Sequence, residues 1–231
     1  MKLCMKYFYA VMLSVATISL ASCSQDEDDE PLPDNNKKEQ GVTIDFNKYF
    51  TEKQFSDANT ASNCDYLNSD EKVMILYMNL ARTDGEAFTQ AFLSDLLEST
   101  NEDEQSLISD LKAVKNRPLL IPNKKLSEAA EFHANDIGKN GETGHNSTDG
   151  TSFDIRIRGF YNGGAIAENI AYGSNDPVAY LRMLLIDQGV SKRGHRKNIL
   201  NEAYCRIGIA IRQHKKWDHC CVQDFSDSLG D

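Results

Sequence analysis

Residues 189–201 read GVSKRGHRKNILN and set one histidine, His195, between a glycine and a run of bases at the start of an apolar turn. An imidazole there suits three tasks: ligating a metal, exchanging a proton near neutral pH, or bracing the start of a helix. A helix N-terminus and the adjacent Lys192, Arg193, Arg196 and Lys197 all disfavour the imidazolium, so a neutral ring is expected. A neutral ring keeps a lone pair for a proton or a cation. The chain has no HExxH pair of the kind that holds zinc on one helix, and no GxSxG elbow for an activated serine. Ser147, Ser152 and Ser191 are candidate cleft hydroxyls, and nothing beside them in sequence marks one as a nucleophile.

Several elements must position these groups. Asn68 followed by Glu71 forms a capping-box variant at the head of a helix through Val73, Leu76, Tyr77 and Leu80, which Gly85 breaks. Further helices are expected through Ala87, Phe88, Ala91, Phe92 and Leu96, and through Leu107, Ile108, Leu111 and Val114. The segment KLSEAAEFHANDIGKNG is helical, with Leu126, Ala130, His133 and Ile137 on one face and Gly141 suited to its C-cap. His133 is therefore expected in the core or behind the site. In NDPVAYLRMLLIDQG a helix starts at Asn175 or Asp176 with Pro177 in its first turn, and Gly189 stops it. Loop chemistry dominates ETGHNSTDGTSFDIRIRGF. There Arg156 or Arg158 is expected to pair with an acid such as Asp154 and pin the loop. GGAIAENIAYG reads as extended. Ile207, Ile209 and Ile211 alternate in a strand that DHCCVQDF answers across a polar turn. His214 is expected on the surface of that turn, and His219 has no assigned role. Asn169 and Asn198 read as braces.

The chain of 231 residues, 40% hydrophobic and 26% charged, has room for one sizeable domain with a leader and linker. Its net charge of −10 argues against nucleic acid as a partner, Lys192, Arg193, Arg196 and Lys197 forming only a local basic patch. Lys2 and Lys6, the apolar run from Tyr7 to Leu20 and the ending LASC resemble a bacterial lipoprotein signal, with Cys23 as the lipidated residue. The expected organisation is a signal peptide over 1–22, an acidic flexible tether over 23–45, an irregular arm over 46–67 and a domain over 68–231. The acids Asp26 to Glu30 just after Cys23 point to an outer-membrane protein displayed on the cell surface, the alternative being its periplasmic face. In an exported chain, Cys64, Cys205, Cys220 and Cys221 are disulfide candidates, with Cys205 bonded to Cys220 or Cys221 and Cys64 tied to the domain.

Four segments in order, LSEAAEFHANDI, GHNSTDGTSFDIRIRGF, AENIAYG and GVSKRGHRKNILNEAYCRIGIAI, resemble the CAP superfamily, in particular its bacterial secreted branch. This is the SCP domain shared by cysteine-rich secretory proteins, insect venom antigen 5 and plant pathogenesis-related proteins. The resemblance implies an α+β fold: an α-β-α sandwich with a mixed sheet flanked by helices, ending in a β-hairpin. It also implies a cleft with two histidines and two acids. By motif, His145 corresponds to the first histidine, Glu168 to the glutamate of Ala-Glu-Asn and His195 to the second histidine. Asp187 is the candidate for the second acid, although the tryptophan often found on that helix is absent and Asp187 suits a helix-end cap equally well.

These residues could ligate a divalent cation (zinc or similar, through His145, His195 and Glu168), act as acid and base, or order the cleft as a hydrogen-bonded cluster. No cofactor beyond that cation is implied. The expectation is an exported, lipid-anchored domain presenting this His/Glu cleft to a small lipid-like ligand, a metal or a protein partner, without established catalysis. The alternatives are a hydrolase of peptide or cell-envelope material using the same cluster, and a structural envelope protein with an idle cleft. No catalytic residue is assigned beyond the candidates His145, Glu168 and His195.

Overall fold

A computed structural model describes residues 21–22, 46–173 and 175–228. The expected signal peptide (apart from the backbone of Ala21 and Ser22), the lipidation site Cys23, the acid run and the tether lie outside the described residues. Among the described residues, no helix is long and apolar enough to cross a membrane.

The helices are α1 (Glu52–Ala58), α2 (Ser69–Thr83), α3 (Gly85–Phe92), α4 (Glu102–Lys112), α5 (Lys124–Asn140), α6 (Phe153–Phe160), α7 (Pro177–Ile186) and α8 (Gly194–Leu200). Their starts follow local chemistry. Asn68 and Glu71 close a reciprocal capping box on α2, and the Asp176 carboxylate accepts from the backbone N–H groups of Val178 and Ala179 ahead of α7. Gly141 ends α5 in the left-handed region at φ 71°, a conformation glycine adopts without strain.

The sheet has the order β1-β3-β5-β4-β2. β4 (Arg206–His214) and β5 (Asp218–Ser226) are the terminal hairpin, and β3 (Ile166–Gly173) pairs antiparallel with β5. β2 (Ile121–Pro122) runs parallel to β4, and β1 (Ala21–Ser22) lies antiparallel on β3 at Tyr172 and Ala171. The expected cut before Cys23 would remove β1 and leave β3 as the edge strand.

Alternation along the strands divides the core. Ile170, Tyr172, Ala210, Cys220 and Val222 pack against Ala130, Ala134 and Ile137 of α5. Ile207, Ile209, Ile211, Cys221 and Phe225 pack with the larger layer that includes α2, α3, α4 and α7. Leu126 and Ala129 of α5 join Ile157 and Tyr161 and so fix α6 beside α5. The result is the expected three-layer α-β-α sandwich with a mixed sheet and a terminal hairpin.

Three local expectations change. The arm over 46–67 is not irregular throughout: Thr51 caps a short helix, and Phe46 packs its ring at a tilt against those of Phe55, Tyr77 and Phe92 beside the main core. The FDIRIRGF segment is helical, because Phe153, Arg156, Ile157 and Phe160 recur at helical spacing while Ile155 points to solvent.

The disulfides are the third. Cys64, Cys205, Cys220 and Cys221 are all free thiols. The hairpin register pairs Cys221 with Ile211 and Cys220 with Arg212, six and seven residues along β4 from Cys205. That is roughly 20 Å at strand rise, against the roughly 7 Å limit for a bridge. Burial pushes the Cys220 thiol up to about 12 and raises Cys221 well above its usual value, so both are poor thiolates. Reductant is accordingly expected to leave the thermal midpoint unchanged in a melting scan. A fall on reduction would mean that a bridge forms.

Candidate functional site

Two histidine–carboxylate pairs meet at β3. Glu168 Oε1 lies 2.9 Å from Nδ1 of His145, and Glu168 Oε2 accepts from Nη2 of Arg156 at 2.6 Å. The same Nη2 donates to the carbonyl of His145 at 3.1 Å, so one guanidinium fixes both the acid and the backbone of its partner. Burial works to raise Glu168, but the His145 hydrogen bond and the Arg156 charge outweigh it and hold the carboxyl below its usual value. An ionised Glu168 can only accept, so Nδ1 of His145 carries a proton, and in the neutral ring Nε2 keeps the lone pair.

The loop carrying His145 is strung from behind. Buried His133 donates from Nε2 to the Gly144 carbonyl at 3.0 Å, and the Tyr172 hydroxyl accepts from Gly144 N–H at 2.9 Å. Burial, assisted by Arg156 and opposed by Glu168, lowers His133, which is a neutral support and not a cleft group. His214 is buried, not on the turn surface: its Nε2 donates to the Glu142 carbonyl at 2.7 Å, and its Nδ1 accepts from the N–H groups of Lys216 and Trp217. The sequence placed it in a turn, whereas Tyr172 packs edge-on against it and covers it.

The second pair is His195 with Asp187. Asp187 ends α7 with φ 54°, and its Oδ1 lies 2.7 Å from Nδ1 of His195. Oδ2 accepts from the backbone N–H groups of His195 at 2.9 Å and Arg196 at 3.3 Å. Asp187 thus ends α7, bonds the His195 ring and caps the start of α8 with its side chain. Of the basic run, the two arginines turn to acids while Lys192 and Lys197 are exposed. Arg196 is buried and bonded to Ser106, Asp110 and the carbonyls of Asp103, Leu185 and Ile186. Arg193 pairs with Asp103. Acids of α4 therefore absorb the charge that the sequence suggested would act on His195.

Asn169 joins the halves. Its Nδ2 donates to the His195 carbonyl and to Gln223 Oε1, both at 3.2 Å, and its Oδ1 accepts from Asn198 at 2.8 Å. Glu168, one residue away, holds His145. Both asparagines are braces, as expected.

The proposed ligand set of His145, His195 and Glu168 does not assemble. Glu168 Oε1 is paired with His145 and Oε2 with Arg156, and Asp187 Oδ1 is paired with the His195 ring and Oδ2 with the α8 backbone. Among the described residues no group of three or more His, Cys, Asp or Glu side chains is arranged to hold a metal ion. The ring atoms that no described residue engages are Nε2 of His145 and Nε2 of His195. Arg156 pairs with Glu168 and not with the expected Asp154, which bonds Ser152 instead. Sequence reasoning also missed Asp224, buried opposite Glu168. An acid in step with Cys220 and Val222 on an inward strand face was the available signal.

A family model for the cysteine-rich secretory protein (CAP) family matches residues 77–225. Among solved structures the chain is similar to an extracellular protein containing an SCP domain from Bacillus anthracis, with 29% identity and a TM-score of 0.42, over 53% of this chain and 38% of that one. It is also similar to an outer surface protein from Borrelia burgdorferi, with 21% identity and a TM-score of 0.43, over 56% and 96% of the two chains. Venom allergen-like protein 4 of Schistosoma mansoni is 14% identical with a TM-score of 0.47, over 71% and 92%. No curated protein matches. The three-layer fold is consistent with that of an SCP domain. The chain belongs to the cysteine-rich secretory protein (CAP) family.

Proposed function

We propose that the protein is an exported, lipid-anchored CAP domain that binds a small polar or lipid-like ligand through Nε2 of His145 and of His195. Cys23 carries the anchor, and the acidic tether holds the domain at the outer face of the outer membrane. One observation supports this above the rest: each ring is fixed through Nδ1 on a buried carboxylate, which leaves Nε2 oriented as an acceptor. Such rings are pre-organised, so a ligand donor does not have to order them.

The His195–Asp187 pair also has the arrangement of a base with its orienting acid, which favours acid/base hydrolysis as the second reading. No described serine hydroxyl is bonded to either ring, so water would be the nucleophile in that case.

The experiment is extraction of the protein from membranes followed by mass spectrometry of what it carries. A compound retained by the wild type is expected to fall about fivefold or more in His145→Ala and in His195→Ala, the loss of one hydrogen bond of about 1 kcal/mol. Equal retention in all three proteins sinks the binding proposal. Turnover of peptides, peptidoglycan or esters that Glu168→Gln abolishes would favour the hydrolase instead. Protease shaving of intact cells tests the placement: a protected tether puts the domain on the periplasmic side.

A further inference from the structure

Asp224 sits on β5, in register with Gly208 of β4 on one side and Glu168 of β3 on the other. The alternation that sends Cys220 and Val222 toward α5 sends Asp224 the same way, so its carboxyl and that of Glu168 share one face of the sheet. Asp224 is 0% exposed, and neither of its oxygens receives a hydrogen bond from the described protein. Glu168 differs: it has a donor on each oxygen.

The surroundings of Asp224 are sparse in charge. β3 offers Glu168, α6 offers Arg156, and α5 lays the Leu126–Ser127 backbone over Gly208, which has no side chain. Arg156 spends its Nη2 on Glu168 and the His145 carbonyl, while its Nε and Nη1 have no partner among the described residues. An ionised carboxylate buried without a donor is far less favourable than the neutral acid, and a second negative charge beside Glu168 adds repulsion. Burial first, then the charge of Glu168, raises Asp224 well above the usual carboxylate range against the pull of Arg156.

We propose that Asp224 is a neutral carboxylic acid at neutral pH, that its hydroxyl donates to Glu168, and that it is thereby a positioning residue for the His145 ring. Glu168 then accepts three donors, from His145, Arg156 and Asp224, and carries the single negative charge of the acid pair. This goes beyond ligand binding and stands whether or not the cleft takes the ligand proposed above. The unfolded chain releases the Asp224 proton above about pH 4 while the folded chain keeps it, so this residue makes folding less favourable as pH rises from there.

Carbon-13 NMR of the full-length protein labelled at aspartate tests the proposal, with the Asp224 carboxyl carbon assigned through Asp224→Asn. In the wild type that carbon is expected to keep the shift of a protonated acid from about pH 4 to about pH 8, while exposed aspartates titrate normally. The titration of His145 should be unchanged in Asp224→Asn, whose amide replaces the donor without adding charge. It should move upward in Asp224→Leu, which strips a donor from Glu168 and leaves that carboxylate more basic toward His145. A carboxylate shift for Asp224 at neutral pH overturns the proposal, and so does a fall of about one unit or more in His145 on Asp224→Asn, the mark of a lost negative charge. Identical His145 titrations in the asparagine and leucine variants would remove the positioning role. The wild-type carbon shift decides the protonation state even if the leucine variant does not fold.

Discussion

Arg82→Met is expected to destabilise the protein by about 3–5 kcal/mol, read as a lower urea midpoint with the slope unchanged. Arg82 is 0% exposed and donates to four backbone carbonyls: Nε to Pro118 at 2.7 Å, Nη1 to Ile199 at 2.6 Å and Asn201 at 2.9 Å, and Nη2 to Tyr204 at 2.6 Å. No carboxylate shares the site among these contacts. Burial, with help from nearby Arg117, lowers the guanidinium to about 10, so it is still charged at neutral pH. Methionine fills similar volume but leaves four carbonyls without their donor. Three of those carbonyls belong to the end of α8 and the turn after it, so the loss falls on the segment that carries His195. Arg82→Lys is expected to recover little, since one ammonium cannot reach carbonyls spread around a planar fork. A lysine variant as stable as wild type would show that charge alone, and not the fork, holds this corner.

Gly208→Ala is expected to be nearly as damaging, at about 3 kcal/mol or more, because it overpacks a contact between backbones. A β-carbon there would lie 2.0 Å from the Leu126 carbonyl carbon and 2.3 Å from its oxygen and from Ser127 N. No rotamer change relieves a clash with main chain, so α5 must lift from β4. Asp224 is the register partner of Gly208, and the lift opens the space above the acid pair. Gly159→Ala in α6 is the control: its β-carbon would meet nothing within 4 Å, and its helical setting favours alanine by up to about 1 kcal/mol. Thermal melts of the two variants check this, and equal midpoints would mean that α5 tolerates displacement.

Much of the architecture was legible because its signals are local. The caps at Asn68 and Asp176, the left-handed Gly141 and the alternating isoleucines of β4 each state their conformation within a few residues. His145 and Glu168 belong to separate motifs that only the fold brings together, whereas Asp187, eight residues before His195, read equally well as a helix-end cap. What stayed hidden depended on packing. The I-R-I-R alternation of α6 mimics a strand until Leu126 and Ala129 claim Ile157. Asp224 looks like any acid in a hairpin until its strand becomes the covered centre of a sheet. The cysteines misled for a different reason: export favours bridges, but register decides whether two sulfurs can meet.

Glu168 and Asn169 are consecutive, so they face opposite sides of β3, one toward α5 and α6 and the other toward α7 and α8. Each holds the histidine of its own side. The two imidazoles are therefore like jaws of a calliper pinned at a single peptide unit. Sliding the α7–α8 layer over the sheet carries His195 and Asp187 together while His145 stays on Glu168, and the Asn169 bonds to the His195 carbonyl and to Asn198 have to give. A fold built this way can be retuned for ligands of different size through core residues remote from the jaws, while the chemistry at the tips stays the same.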